Sequence, residues 1–516
     1  MELAIRPLDI ATVAIYLIGM LLIGAYFSRR NNTTEEYFVG NRAFSGWVIG
    51  LSMLGTIISS ATFLALPAAA YVLDWRQLSI NLVLPFIAII AIVVFIPFFR
   101  QGKLTSAFEY LGNRYGVAPR IYGTCSFIAM QLIRMAQILF LVSLPIQFLT
   151  GAPIEMVIVG AGIFIAFYTI AGGIEAVIWT DVIQAMILIL GGILCFVLMA
   201  IDLPGGVGQI IEIGRAQNKF SLGSFDWDLT ERTFWTVAIL GVVNWLMIYG
   251  GDQNMVQRYA AARSTREARK ATALYSAIAL PMWTLFFFVG TSLFAYYATF
   301  PDPHVAELEA DQVLPYFILK EVPAGVAGIV ISAVLAAAMS SLDSGINAIS
   351  TVSVVDLMKP YLARGREDKY YLRSARWIAF AVTLLVILGA ILFSRIEKES
   401  MNDVSLIVTS IFGGCLMGLF MLGFFTRRVD GTSATIAMAL AILFNIYLGL
   451  GALGWLPPAA TLGIHSYWVG ATVNGFFIML ALLLSFFLPG EAKGLEGLTV
   501  WTMPRKAAKA EEEEVA

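Results

Sequence analysis

Three groups of side chains lie in apolar surroundings that ordinary packing does not explain. Asp181 stands in the run Ile178-Trp179-Thr180-Asp181-Val182-Ile183-Gln184. Ser340, Ser341, Asp343 and Ser344 follow directly on Ala336-Ala337-Ala338-Met339. Arg134 sits within Gln131-Leu132-Ile133-Arg134-Met135-Ala136-Gln137. Helix positions i, i+3 and i+4 share a face, so Ser340, Asp343 and Ser344 point the same way. Hydroxyl and carboxylate oxygens are hard donors, suited to an alkali cation and poor for a soft metal. A lone serine in an apolar helix usually bonds back to the i−4 carbonyl. Three serines around one carboxylate favour a cation site instead. An ion pair is the competing role for Asp181, but no apolar span holds a lysine. For Arg134 two roles stand open: neutralising Asp181 or Asp343, or clamping a ligand carboxylate in its planar fork.

The elements that must position these groups are membrane spans. Of 516 residues, 59% are hydrophobic and only 13% charged. A soluble chain carries roughly 25% charged residues, so lipid must clothe most of this surface. The net charge of −2 suggests no nucleic-acid partner. Cys125, Cys195 and Cys415 are far apart and form neither a disulfide framework nor a metal motif. His304 and His465 fall in expected loops, which argues against an intramembrane histidine relay.

A bilayer core takes about 20 apolar residues per helix. Thirteen spans are expected, at 9–28, 46–72, 78–99, 121–149, 153–171, 174–201, 233–257, 271–297, 322–357, 376–394, 404–425, 432–453 and 466–489. The first lacks a signal-peptidase site and precedes Arg29-Arg30, which reads as a stop-transfer signal rather than a cleaved leader. One alternate set of loops carries 24 Lys and Arg, the other 8. That bias places the N-terminus outside and the C-terminus in the cytoplasm. Residues Glu511 to Glu514 read as a solvated tail.

Two spans carry signs of interruption. The second reads Ser52-Met53-Leu54-Gly55-Thr56-Ile57-Ile58-Ser59-Ser60-Ala61-Thr62, with Pro67 beyond. The seventh reads Asn244-Trp245-Leu246-Met247-Ile248-Tyr249-Gly250-Gly251-Asp252-Gln253. Small residues in one span alone would serve close helix packing. Five spans apart, the pair fits an inverted five-plus-five repeat with broken helices at the midplane.

On these residues the chain resembles the sodium:solute symporter family, which includes the sodium–glucose cotransporters. The marks are Gly172-Gly173-Ile174-Glu175-Ala176-Val177-Ile178-Trp179-Thr180-Asp181-Val182-Ile183-Gln184, the Ala-Ala-Ala-Met-Ser-Ser run ending at Ser341, and Val256-Gln257-Arg258. Thr105-Ser106-Ala107-Phe108-Glu109-Tyr110-Leu111 and Gly418-Leu419-Phe420-Met421-Leu422-Gly423 are similar to the bacterial sodium–sialic acid branch. The resemblance implies an all-α polytopic membrane protein with the LeuT-type five-plus-five inverted repeat. It implies an extra N-terminal helix and loop (1–45) and a first repeat with the first helix of the second (46–260). The rest of the second repeat (261–425), two peripheral helices (426–489) and a cytoplasmic tail (490–516) would follow.

The same resemblance implies sodium as coupling ion, with no organic cofactor. A main sodium site would draw on carbonyls of Gly55, Ile58 and Ala337 and hydroxyls of Ser340 and Ser341. A second would use Asp181, Ser340, Asp343 and Ser344, although that branch has serine at Asp343. Asp343 would then strengthen the sodium site, hold a proton or pair with Arg134. The branch's substrate positions fall on Ile57, Ser59, Thr62, Gln77, Asn81 and Arg134, and Thr56 beside them is included in the substrate set. Ile57 replaces a threonine, Asn81 a glutamine and Gln77 an aromatic residue. The expected solute is an acidic sugar such as sialic acid or another organic carboxylate, with a neutral sugar or polyol next. The expected setting is a bacterial inner membrane, with a monomer embedded in the lipid bilayer.

Rival classes fit less well. An enzyme needs a nucleophile–base or metal constellation, and the spans show none. A channel would lack saturable, gradient-driven accumulation. Proton coupling through Asp181 and Asp343 is the nearest rival to sodium coupling.

Overall fold

The computed structural model describes residues 6–28, 33–101, 104–395, 409–452, 454–488 and 494–503. Arg29-Arg30, positions 404–408 of the expected eleventh span and the Glu511–Glu514 tail lie outside them. Among the described residues the chain is helical, apart from one isolated bridge between Phe44 and Ala262.

The helices used below are, in order, α1 (Pro7–Ser28), α2 (Gly46–Ile57), α3 (Ala61–Val72), α4 (Arg76–Gln101), α5 (Val117–Thr150) and α6 (Ile154–Asp202). They continue with α7 (Phe234–Gly251), α8 (Gln253–Ala261), α9 (Thr265–Thr299), α10 (Ala310–Lys320), α11 (Val326–Val352) and α12 (Asp368–Phe393). The last are α13 (Leu416–Phe425), α14 (Gly431–Ala452) and α15 (Val469–Phe487). Among the described residues ten helices are long and apolar enough to cross a membrane, and α2 with α3, bent by 60°, makes an eleventh. The other two of the thirteen expected spans hold shorter apolar helices, Ile154–Phe167 and Leu416–Phe425. Thirteen full-length spans are therefore not shown. The expected fifth and sixth spans follow each other within α6, where Gly173 adopts φ 58° and ψ −168°. Only glycine takes that conformation without strain.

The core is built around α11, which is buried along nearly its whole length. It packs against α6 at very close range. A Cβ on Gly191 would lie 2.2 Å from the Cβ of Ala333. Removing side chains at such crossings lets backbones meet where lipid supplies no hydrophobic drive. The first helix joins this bundle through its polar end. Asp9 is fully buried and accepts from Gly325 N at 2.7 Å and Gly328 N at 2.9 Å, so it caps the start of α11. Arg6 neutralises it at 2.8 Å.

Helix α2 is pinned at its first turn. Glu267 at the start of α9 accepts from Gly46 N at 2.6 Å, and Lys270 balances its charge at 3.0 Å. Beside it, Phe44 exchanges backbone bonds with Ala261 and Arg263 just after α8. The two broken spans are thus tied together at one end.

Candidate ion and substrate site

Both expected interruptions are present, and each has a definite address. Span two ends as a helix at Ile57. Ile58 takes φ −82° and ψ 106°, and the last helical bond runs from its N to Leu54 O. The carbonyls of Gly55, Thr56 and Ile57 therefore have no next-turn amide to accept from. They form the negative end of the α2 dipole. Span seven breaks at Asp252, with φ −78° and ψ 125°, not at the two glycines before it. Gly250 and Gly251 remain helical and serve packing, since a Cβ on Gly251 would meet the Phe420 ring at 2.4 Å.

The freed carbonyls meet the serines of α11. Ser340 Oγ donates to Gly55 O at 2.8 Å and to Ala336 O at 2.9 Å, with Ala337 O at 3.3 Å. Ser341 Oγ donates to Thr56 O at 2.9 Å. The back-bond expected of an ordinary serine and the cross-helix contact are both realised at Ser340. Gly55, Ile58, Ala337, Ser340 and Ser341 are all buried, and Ile58 stands at the break itself. Their donors are neutral hard oxygens, the set an alkali cation uses in place of its water shell.

Asp181 has a partner that sequence reading placed in a cytoplasmic loop. Arg258, in α8, is fully buried, and its Nη2 donates to Asp181 Oδ2 at 2.7 Å. The same Nη2 donates to Ser344 Oγ at 2.7 Å, and Nε donates to Ser52 Oγ at 2.9 Å. Ser52 passes its own hydroxyl hydrogen to Asp181 Oδ2 at 2.6 Å. Sequence reading weighed a lysine and Arg134 as partners of Asp181; the partner is Arg258. No lysine is needed, because the break at Asp252 turns α8 inward and carries Arg258 into the core. The loop charge bias stands without it.

Thr56 belongs to this cluster. Its hydroxyl donates to Ser52 O at 2.9 Å and lies 3.1 Å from Ser344 Oγ. Asp181 Oδ1, in contrast, is buried without a hydrogen-bond partner, as is Gln184 Oε1 one turn later. Gln184 Nε2 donates to Tyr16 OH at 3.4 Å, and the charge of Asp343 acts on Tyr16. Asp343 is fully buried, and Ser344 Oγ reaches its Oδ1 at 3.4 Å.

Arg134 pairs with neither Asp181 nor Asp343. It lines a cavity of about 260 Å³ together with Ser59, Thr62, Gln77 and Asn81. Its Nη2 lies 3.5 Å from Thr56 O and 3.4 Å from Ile57 O, at the end of α2. Five members of the expected substrate set therefore share one cavity, while the Thr56 side chain is directed to the Asp181 cluster and Ile57 is not in the lining. Sequence reading missed other lining groups, including Gln131, Gln137, Asn244, Asp252, Ser410 and Asn474. A polar residue every turn on α5 was the available signal for Gln131 and Gln137.

The model of the sodium:solute symporter family matches residues 37–441. The chain belongs to the sodium:solute symporter family. It is 32% identical over 462 residues to the sodium/sialic acid symporter NanT of Aliivibrio fischeri, covering 89% of each chain. To the sodium/sialic acid symporter SiaT of Proteus mirabilis it is 32% identical, over 83% of this chain and 86% of the other. Among solved structures, a sodium-coupled sialic acid symporter in a substrate-bound outward-open state superposes with a TM-score of 0.85 at 29% identity. That match covers 93% of this chain and 98% of the other. The protein is thus a LeuT-type membrane symporter with sodium as its coupling ion, and not an enzyme. The breaks in α2–α3 and in span seven both border the cavity that Arg134 lines, through Ser59 and Asp252.

Proposed function

We propose that this symporter imports an acidic sugar such as sialic acid, or a related organic carboxylate, by alternating access. The observation that carries the reading is Arg134, whose guanidinium is, among the described residues, the one cationic side chain in a cavity rich in hydroxyl and amide groups. A planar fork binds a carboxylate through two parallel hydrogen bonds. Ser59, Thr62, Gln77 and Asn81 supply partners for hydroxyls and amides. The two relatives with sialic acid in their names support the choice.

In this reading the main sodium ion sits among Gly55, Ile58, Ala337, Ser340 and Ser341. It would replace the direct serine–carbonyl bonds and tie the end of α2 to α11. A second cation is proposed at Asp181, Ser340, Asp343 and Ser344. Asp181 Oδ1, buried without a hydrogen-bond partner, supplies a carboxylate oxygen for that cation. Sodium binding holds the outward form and raises substrate affinity; substrate then raises sodium affinity by the same factor.

The repeats are assigned as 46–260 and 261–425, the second repeat's first helix lying in the first segment. Residues 1–45, 426–489 and 490–516 are peripheral to them. The setting is a monomer in a bacterial inner membrane, N-terminus outside and C-terminus in the cytoplasm, as the loop charges indicate. The test is the melting temperature of purified protein with N-acetylneuraminate, in sodium chloride and in choline chloride. A ligand-dependent rise confined to sodium supports the reading. A rise in neither salt removes sialic acid as substrate.

A further inference from the structure

Among the side chains lining the Arg134 cavity, one carries a negative charge, and the symport reading has not used it. Asp252 stands at the break between α7 and α8. It is the N-cap of α8: its Oδ1 accepts from Asn254 N at 2.7 Å and from Asn254 Nδ2 at 2.9 Å. Both of those bonds use one oxygen, which leaves Oδ2 for the cavity. The field of Asp252 acts on Arg134, yet the two make no ion pair within 4.0 Å. A carboxylate and a guanidinium facing one cavity without touching are each costly to desolvate. Direct pairing would offset that cost, but the geometry keeps them apart. A molecule lying between them meets both demands if one end is an anion and the other donates hydrogen bonds.

We propose that Asp252 is a specificity-determining substrate residue, accepting hydrogen bonds from hydroxyl or ammonium groups of a solute whose carboxylate Arg134 holds. The proposal rests on the carboxylate reading and sharpens it to carboxylates with a second, donor-rich end. An ionised carboxylate only accepts hydrogen bonds. Bonds to it are roughly twice as strong as neutral ones. A ligand lacking the donor leaves Asp252 desolvated and unpaired, and a site built to bond such a group rejects that ligand strongly. Short apolar monocarboxylates are therefore excluded although they satisfy Arg134.

The test compares wild type with Asp252→Asn and Asp252→Ser. Asparagine and serine both cap helices, so the bond to Asn254 N and the fold persist while the charge is lost. Sodium-dependent binding is measured by calorimetry for N-acetylneuraminate, D-glucuronate, L-alanine, propionate, benzoate and D-glucose. Wild type is expected to bind at least one donor-bearing carboxylate tenfold or more tighter than propionate and benzoate. Both variants should lose that preference, with sodium dependence unchanged. Equal binding of donor-bearing and donor-poor carboxylates by wild type overturns the proposal. So does a preference that survives in both variants, a change confined to sodium dependence, or binding of no donor-bearing carboxylate. If N-acetylneuraminate and D-glucuronate fail while L-alanine binds in an Asp252-dependent way, the acidic-sugar reading falls and this proposal stands. Binding of D-glucose alone overturns both.

Discussion

Asp181 and Arg258 meet at 2.7 Å with neither side chain exposed, joining α6 to the inner half of the broken seventh span. Ser52 and Ser344 complete the cluster, so four elements converge on one guanidinium. Breaking such a pair from one side leaves an uncompensated buried charge, at about 3–5 kcal/mol. Arg258→Gln and Asp181→Asn should each lower the melting temperature markedly. The double variant Asp181→Asn/Arg258→Gln should lose less than the sum. Strict additivity in that cycle would show that the two charges do not depend on each other.

Ser340 and Ser341 link α11 to the open end of α2 through single hydroxyl bonds, each worth about 1 kcal/mol. Replacing both by Ala leaves the bundle folded and should abolish sodium-driven uptake in proteoliposomes. Uptake at the normal rate and sodium dependence would sink the main-site assignment.

Arg134 touches backbone only at 3.5 and 3.4 Å, distances at which little folding energy is at stake. Arg134→Ala should therefore keep its melting temperature and lose carboxylate binding tenfold or more. An equal loss for neutral solutes would mark the residue as structural.

Gly290 in α9 faces the backbone of α3. A Cβ there would lie 2.3 Å from Pro67 O, and a backbone oxygen cannot swing aside. Gly290→Ala should destabilise the protein by about 1–3 kcal/mol through overpacking. An unchanged melting temperature would mean that α3 shifts freely.

Outside the spans, Lys320 and Tyr316 donate to Asp302 and hold its carboxyl well below the usual carboxylate range. The unfolded chain takes up that proton first, near pH ~3.9. The stabilisation is complete above that value and is lost as pH falls through the lower folded value. The melting-temperature gap between wild type and Asp302→Asn should narrow as pH falls below about 4. A gap that widens as pH falls through that range has the opposite sign and contradicts this account.

Much of the architecture was legible in the residues. Long apolar runs report the spans because a bilayer demands them, and clustered small residues marked both interrupted helices. Gly250 and Gly251 misled in detail: they looked like the hinge, but the chain turns at Asp252, where a capping carboxylate starts the next helix. Ser340 was identified from the face it shares with Asp343 and Ser344, and Ser341 from the resemblance. Their partners, the carbonyls of Gly55 and Thr56, exist as free acceptors only because α2 stops at Ile57.

The sequence alone determined the solvent and which polar residues needed a purpose in lipid. These follow from local composition, which each segment carries with it. Only the tertiary structure decided the pairings. Arg258 lies 77 residues from Asp181, at the expected edge of a loop, and its role depends on α8 turning inward. Arg134 lies at the middle of an apolar helix, where sequence left pairing and ligand binding equally open. Folding separated it from both Asp181 and Asp343 and set it in the lining of a cavity that Asp252 shares. The physical reason is that burying a charge is costly everywhere, whereas which opposite charge offsets that cost is fixed by how helices distant in sequence pack.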